Sequence, residues 1–220
     1  MIPDGHRNLR DTLKAKIAAR AKARRGLDRL GQRIKALRKK IRKQERQDRK
    51  PTIVVERSVC NQSSRAGAVP RLIVLHSTES SNLRGKADLE AIAGWFDNPQ
   101  AQASSHVVVD AEGRSARCVP DDQKAWTQAA FNPLCLSIEQ IGYASQFDWE
   151  DRQLAETARW VALWSRKFGI PLVHGAVSGS TVTRSGVVTH ADLGVAGGGH
   201  NDPGFGFPFS RVLALAESLQ

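Results

Sequence analysis

Residues 71–76 read RLIVLH, an apolar run of strand length that ends on a histidine. Such a short run of Leu, Ile and Val predicts a strand. Ser77 and Thr78 follow His76 at once. We therefore expect the ring of His76 to emerge where a sheet edge opens into a cleft.

The chain around this run predicts an α/β domain, because short β-rich runs alternate with turn residues and two helical stretches from Pro51 onward. Gly113 supplies a permissive backbone for a hairpin turn at Ala111–Arg114. Gly169 is the natural C-terminal stop of the second helix. Further strands are predicted at residues 52–55, 105–110, 115–119 and 135–141, and helices at residues 88–96 and 149–168.

A separate basic segment precedes this domain. Residues 1–50 hold 19 Lys+Arg against 5 Asp+Glu, a balance of +14, which leaves 14 against 17, or −3, for residues 51–220 of a chain whose total is +11. Strong helix formers dominate residues 9–41 and predict a long helix. The polar run Lys43–Lys50, ending before Pro51, predicts a linker. The predicted organisation is a basic helical tail with its linker at residues 1–50 and one domain at residues 51–220.

Apolar residues recur along the tail at spacings of 3, 4, 3 and 4, which is the seam of a coiled coil. Lys16 and Arg20 interrupt this seam nearer the N-terminus, and Gly26 and Gly31 weaken the helix. Three uses remain open: a solvated or self-associating helix, a binder of anionic wall polymers or lipid head groups, and a nucleic-acid binder. The absence of aromatic residues disfavours single-stranded nucleic acid. The seam residues are Leu27, Leu30, Ile34, Leu37 and Ile41.

Composition excludes several classes of protein. Hydrophobic residues make up 40% and charged residues 25% of the 220 residues, which is typical of a globular chain. No apolar run approaches the roughly 18 residues that a membrane span needs, and the basic N-terminal segment lacks the apolar region of a signal peptide. Three cysteines without CxxC spacing do not suggest a disulfide framework. We expect the protein to be made in the cytoplasm without a signal peptide.

A second histidine and a carboxylate complete a candidate metal site. His190 closes the apolar run at residues 186–189, and Asp202 lies in the glycine-rich stretch GGGHNDPG at residues 197–204. Two histidines and one carboxylate, with a fourth position open to water, form the ligand set of a catalytic zinc site.

The segments around these residues resemble the zinc-dependent N-acetylmuramoyl-L-alanine amidases of the amidase type 2 family, which is related to the peptidoglycan recognition proteins. Each segment alone is a weak signal, but six in the family's order make a strong one. The resemblance covers about residues 69–210. The segments are LIVLHST (72–78), WFDNPQAQASSHVVVDAEG (95–113), AW (125–126), LSIEQIG (136–142), VVTHADLG (187–194) and HNDPGFGFPF (200–209).

The resemblance implies a mixed central β-sheet flanked by helices and a zinc ion held by His76, His190 and Asp202. It also implies that Glu139 exchanges protons with water and the departing amine. Taken alone, Glu139 could instead be a surface carboxylate on an edge strand. His200 stands where many relatives carry a lysine, so it is the candidate for stabilising the oxyanion.

Four further residues are candidates for lining a substrate groove. Trp126, Asn132 and Trp95 could contact sugar or peptide, although either tryptophan could equally belong to the core. His106 is expected to be structural or to line the cleft. It is not expected to be a fourth metal ligand, because four protein ligands would leave no place for water.

The resulting expectation is a peptidoglycan hydrolase that cleaves the amide between N-acetylmuramic acid and L-alanine. The tail of +14 favours an endolysin, which acts on the anionic wall after release from the cell. Two alternatives remain within the family: a non-catalytic muropeptide-binding protein and a cytoplasmic muropeptide-recycling amidase. A nucleic-acid protein that acts through the tail is a third.

Overall fold

The structure, a computed structural model, describes residues 4–220, and their side chains apart from residues 4–8 and 46. Contacts divide the chain into two compact units, the first ending at Asp48 and the second spanning Arg49–Gln220. No helix in the described part of the chain is long and apolar enough to cross a membrane.

The first unit is one long helix, α1 (Asp4–Asp48). The predicted linker at Lys43–Lys50 is therefore wrong for most of its length, because the helix continues through it. Lys, Arg, Gln and Glu are strong helix formers, so a polar run of these residues does not end a helix. The chain becomes non-helical just before Pro51, where proline disfavours helix in the residue that precedes it.

The second unit is built on a mixed six-stranded sheet with the strand order β1-β5-β4-β7-β3-β10. All neighbouring pairs in it are parallel except β4 and β5, which form the predicted hairpin. Two small antiparallel pairs, β2 with β6 and β8 with β9, lie outside it. The strands are β1 (Ile53–Glu56), β2 (Gln62–Ser64), β3 (Leu72–Ser77), β4 (Val107–Val109), β5 (Ser115–Arg117), β6 (Gln123–Ala125), β7 (Cys135–Gln140), β8 (Ala176–Ser178), β9 (Thr181–Arg184) and β10 (Gly186–Thr189).

Helices cover both faces of this sheet. Alternation along β3 and β7 sends Ile73 and Leu136 into one core, which includes Trp160 and Trp164 of α3. The opposite face packs Val108 against α2. The helices of this unit are α2 (Lys86–Phe96), α3 (Asp151–Phe168) and α4 (Phe209–Ser218), with 3-10 turns at Pro99–Ala101, Ala129–Leu134 and Ala191–Gly197.

The predicted fold class, a mixed central sheet flanked by helices and preceded by a long basic helix, is confirmed. The expected strands are present with ends shifted by at most two residues, and Gly169 ends α3 with a φ of +67°. The expectation of only two helices in this domain is wrong, because α4 packs on α3 and adds Val212 and Ala216 to the core.

Candidate metal and catalytic site

Two parallel strands and one loop bring the three candidate ligands together. His76 lies near the carboxyl end of β3, in the interior of the sheet, and only 1% of it is exposed. β10 pairs with β3, so His190, the residue after β10, reaches the same edge. Asp202 arrives from the loop that follows the Ala191–Gly197 turn. This convergence follows from the parallel pairing, because parallel strands place their carboxyl ends at one edge.

The donor atoms of these residues lie within a few ångströms of one another. Nδ1 of His76 is 3.0 Å from Nδ1 of His190. The two carboxylate oxygens of Asp202 lie 3.3 Å from Nδ1 of His76 and 2.9 Å from Nδ1 of His190. Ligand bonds of 2.0–2.1 Å in a tetrahedron put ligand atoms about 3.3 Å apart. Among the described residues, this is the one group of three or more His, Cys, Asp or Glu side chains arranged to hold a metal ion.

Neighbouring backbone groups orient the ligands. Nε2 of His190 lies 2.9 Å from the carbonyl oxygen of Gly197, which can only accept a hydrogen bond. With its ring proton on Nε2, neutral His190 can present the lone pair of Nδ1 to a metal ion. The backbone N–H of Ser77 donates to Asp202. In the described part of the chain, Nε2 of His76 is buried with no hydrogen-bond partner.

The charge states suit a cation. Burial lowers the pKa of His76 to about 4, so its imidazole is neutral at pH 7. Burial opposes the charge of Asp202, but hydrogen bonds with His190 and His76 outweigh it and hold the pKa of this carboxyl well below its usual range. Burial likewise lowers the pKa of His190, yet its bond with Asp202 raises it overall. A carboxylate and two imidazole nitrogens that converge on one point are a donor set that fits a zinc ion.

Glu139 lies beside this group. It is on β7, in register with His76 on β3, and β7 is flanked on both sides by other strands. The alternative of a surface carboxylate on an edge strand therefore fails. Burial, and then the charges of Asp202 and Glu79, raise the pKa of Glu139 well above its usual value. Its Oε2 is buried and has no hydrogen-bond partner among the residues described.

His200 covers the outer side of the ligands. Its ring stacks on that of His190, with centroids 4.7 Å apart and planes inclined by 21°. The residue is exposed, unlike the buried ligands. It is thus placed where an imidazole N–H can reach a molecule that enters from solvent.

Two depressions open next to the ligands. A cleft of about 420 Å³ is lined by Glu139, Ser77, Arg84 and Trp95, among others, and Trp95 is 56% exposed. A second, of about 680 Å³, includes residues adjacent in sequence to the ligands. Its lining residues are Glu79, Ala144, Ser145, Thr189, Ala191, Asn201, Gly204 and Phe205.

The other three predicted groove residues do not line these two depressions. Trp126 donates from its indole to Ser63, 3.0 Å away, and Oδ1 of Asn132 accepts from the backbone of Thr127 and Gln128. His106 is fully buried. Of the two roles expected for His106, this position favours the structural one.

Arg65 is a buried residue near the site that sequence reasoning missed. Its buried guanidinium donates to Nε2 of His106 at 2.8 Å. It also donates to the carbonyl oxygens of Asp121, Asn132, Pro133 and Cys135. Arg65 therefore fixes the segment that leads into β7, the strand of Glu139. Nothing in the local sequence separates this arginine from a surface one.

A second missed residue is hydrogen-bonded to the backbone of His76. Gln140 is fully buried, and its side-chain amide donates to the carbonyl oxygens of His76 and Ile138. It fixes the backbone of the histidine and ties β7 to β3. The neighbouring apolar residues Leu136, Ile138 and Ile141 were the only signal in the sequence for its burial.

Comparison with known proteins agrees with this geometry. Residues 66–205 match the Amidase_2 model, described as N-acetylmuramoyl-L-alanine amidase. This segment contains all three candidate ligands, Glu139 and His200. A comparison with curated proteins found no match.

Solved structures share the fold at low sequence identity. The Staphylococcus aureus hydrolase AmiA superposes with a TM-score of 0.59 at 20% identity, covering 77% of this chain and 83% of that one. A selenomethionine derivative of AmpD gives 0.54 at 19% identity, covering 73% and 93%. The endolysin amidase LysCS from Clostridium intestinale gives 0.53 at 18% identity, covering 75% and 95%.

Proposed function

The chain belongs to the N-acetylmuramoyl-L-alanine amidase family. We propose that it hydrolyses the amide bond between N-acetylmuramic acid and L-alanine in peptidoglycan, with a zinc ion held by His76, His190 and Asp202. The observation that carries the proposal is the approach of the donor atoms of these residues to 2.9–3.3 Å of one another. Bound there, zinc would polarise the scissile carbonyl and lower the pKa of a water molecule.

Glu139 is the proposed general base and acid. Its carboxyl lies in register with His76, and burial raises its pKa above the ordinary value, which favours the uptake of a proton from water. It would accept a proton from the attacking water and deliver it to the L-alanine nitrogen as the amide bond breaks. The water oxygen thus forms a C–O bond, the C–N bond breaks, and the proton lost by the water ends on the departing amine.

Two exposed side chains would bind and orient the substrate. His200, stacked on His190, is placed to donate a hydrogen bond to the carbonyl oxygen as it gains negative charge. Trp95 offers an exposed aromatic face beside Glu139 in the smaller cleft, where it can pack on sugar or peptide. Trp126, Asn132 and His106 hydrogen-bond within the fold and would act through its packing rather than by contact with substrate in this cleft.

Metal content and turnover test the proposal together. The purified protein should contain one equivalent of zinc, and His76→Ala should lose both the metal and amide cleavage. Glu139→Gln should keep the metal and lose about 10²–10⁴-fold in turnover, because the amide cannot transfer the proton. Glu90→Gln, on the exposed surface of α2, is the matched control and should behave as the parent. Full activity of a chelated, metal-free sample would refute the zinc assignment.

A digest of purified cell walls separates the amidase from a non-catalytic muropeptide binder. An amidase frees peptides with an unblocked L-alanine N-terminus, which mass spectrometry detects. Intact glycopeptide alone would favour the binder.

We further propose that the substrate is the intact wall, as for an endolysin, since a basic unit of +14 at residues 1–50 suits an anionic surface. A recycling amidase would act on soluble muropeptides instead. Deletion of residues 1–50 should therefore reduce hydrolysis of whole walls while leaving hydrolysis of a soluble muropeptide nearly unchanged. Equal loss on both substrates would contradict this assignment.

A further inference from the structure

The long helix α1 carries a narrow row of exposed aliphatic side chains, here called the apolar stripe. Its members are 43–69% exposed. At 100° per residue they fall within an arc of roughly 80° on the helix surface. Large aliphatic side chains clustered on one helix face mark a surface that contacts something other than water. The stripe consists of Leu27, Leu30, Ile34, Leu37 and Ile41.

The rest of the helix surface around the stripe is cationic. Residues 22–43 contain eleven Lys and Arg and a single acid, Asp28. Arg33 and Lys40 border the stripe on one side, and Arg38 borders it on the other. An apolar face bordered by cations on both sides is the pattern of a helix that lies in the interface of an anionic bilayer.

We propose that α1 binds the surface of an anionic lipid bilayer, with the apolar stripe turned toward the acyl chains and the bordering cations at the head groups. From Leu27 to Ile41 the stripe is about 21 Å long. Cations around the rest of the helix exclude a spanning orientation and favour one parallel to the membrane plane.

A second copy of the helix fits this surface less well. In a parallel pair, the flanking residue Arg33 of one copy would lie against Arg38 of the other, so like charges would meet beside the seam. Gly26 and Gly31, which take the preceding pair of flanking positions, offer no side chains to compensate. The next flanking pair, Lys40 with Glu45, would attract, so the charges beside the seam give the pair no consistent support, and repulsion between Arg33 and Arg38 opposes the contact that the aliphatic residues would favour.

A soluble polyanion would bind the charged side chains of the helix but not its aliphatic ones. A phosphate-rich wall polymer would neutralise the lysines and arginines but would leave Leu30 and Ile34 in water. A bilayer satisfies both the charge and the aliphatic side chains. The proposal thus goes beyond the amidase activity and places the enzyme on the membrane that borders its substrate.

The test uses the full chain and vesicles of phosphatidylglycerol or of phosphatidylcholine alone. Leu30→Gln/Ile34→Gln removes aliphatic surface from the stripe without changing the charge. Ala18→Gln/Ala36→Gln, on the opposite exposed side of the helix, is the matched control. Cosedimentation should show a preference for phosphatidylglycerol. The stripe variant should lose at least about tenfold in affinity for it, and the control should stay within about twofold of the parent.

Three results would overturn the proposal. These are equal binding of both vesicle types, unchanged vesicle binding by the stripe variant, and a parental dimer that the stripe variant dissociates while vesicles bind neither protein. Undiminished binding by the stripe variant would show that charge alone acts, as for a wall polymer. Hydrolysis of a soluble muropeptide, measured on every variant, reports the catalytic unit separately, so failure of vesicle binding and failure of the amidase proposal are distinguishable.

Discussion

Replacing Arg65 by methionine should destabilise the second unit severely. The guanidinium is buried and donates to four backbone carbonyl oxygens, of Asp121, Asn132, Pro133 and Cys135, at 2.7–3.3 Å. It donates a fifth hydrogen bond, of 2.8 Å, to His106. Methionine approximates the length of the side chain and can make none of these bonds.

The magnitude follows from the acceptors left behind. An unsatisfied buried acceptor costs about 1–3 kcal/mol, and repacking or entering water recovers part of that loss. Five acceptors therefore give an expected loss of about 4–6 kcal/mol, a large fraction of the roughly 5–15 kcal/mol by which domains are stable. Burial lowers the pKa of Arg65 only to about 10, so the parent side chain stays charged at pH 7.

Urea unfolding followed by tryptophan fluorescence measures this loss, because Trp160 and Trp164 of α3 are fully buried. Arg71→Met is the matched control, since that arginine is exposed and bonds to Val182 and Ser185 near the surface. It should cost about 1 kcal/mol. A loss below about 1 kcal/mol for Arg65→Met would refute the view that these hydrogen bonds hold the segment before β7.

Two further predictions concern pH and one loop glycine. Burial, and then the charge of Arg65, lower the pKa of His106 to about 3 in the folded protein, whereas the unfolded value is about 6.5. Because the unfolded chain takes up the proton first, the stability due to neutral His106 is complete above pH 6.5 and is lost as the pH falls toward 3. Between pH 7 and pH 5, the free energy of unfolding measured in urea should therefore fall by about 2 kcal/mol less in His106→Gln than in the parent. An equal fall in both proteins would contradict the lowered pKa of His106. Gly204→Ala should cost more than about 3 kcal/mol and weaken zinc binding, because φ is +84° and the new Cβ would lie 1.8 Å from the carbonyl oxygen of Ala144. Gly199→Ala, at a φ of +75° with open space around the new Cβ, is the control and should cost about 1–2 kcal/mol; similar losses for the two variants in urea unfolding and zinc titration would count against the steric explanation.

The sequence predicted the features that depend on short stretches of neighbouring residues. The apolar run before His76 marked a strand, and parallel pairing with β10 then placed His190 at the same edge. Family resemblance, rather than periodicity, supplied Glu139. In contrast, the role of Arg65 depends on carbonyl groups as far away as Cys135, which no local pattern records. The end of α1 was missed because helix-forming polar residues also occur in linkers.

The hydrogen bond from His190 to the carbonyl oxygen of Gly197 bears on how this loop can diverge in sequence. Many metal-binding histidines are held by a carboxylate side chain, which one mutation can remove. Here the acceptor is part of the main chain and is present whatever side chain occupies that position. We therefore expect substitutions at residues 191–197 to be limited by the path of the backbone, so that an outward position such as Val195, 93% exposed, tolerates other side chains.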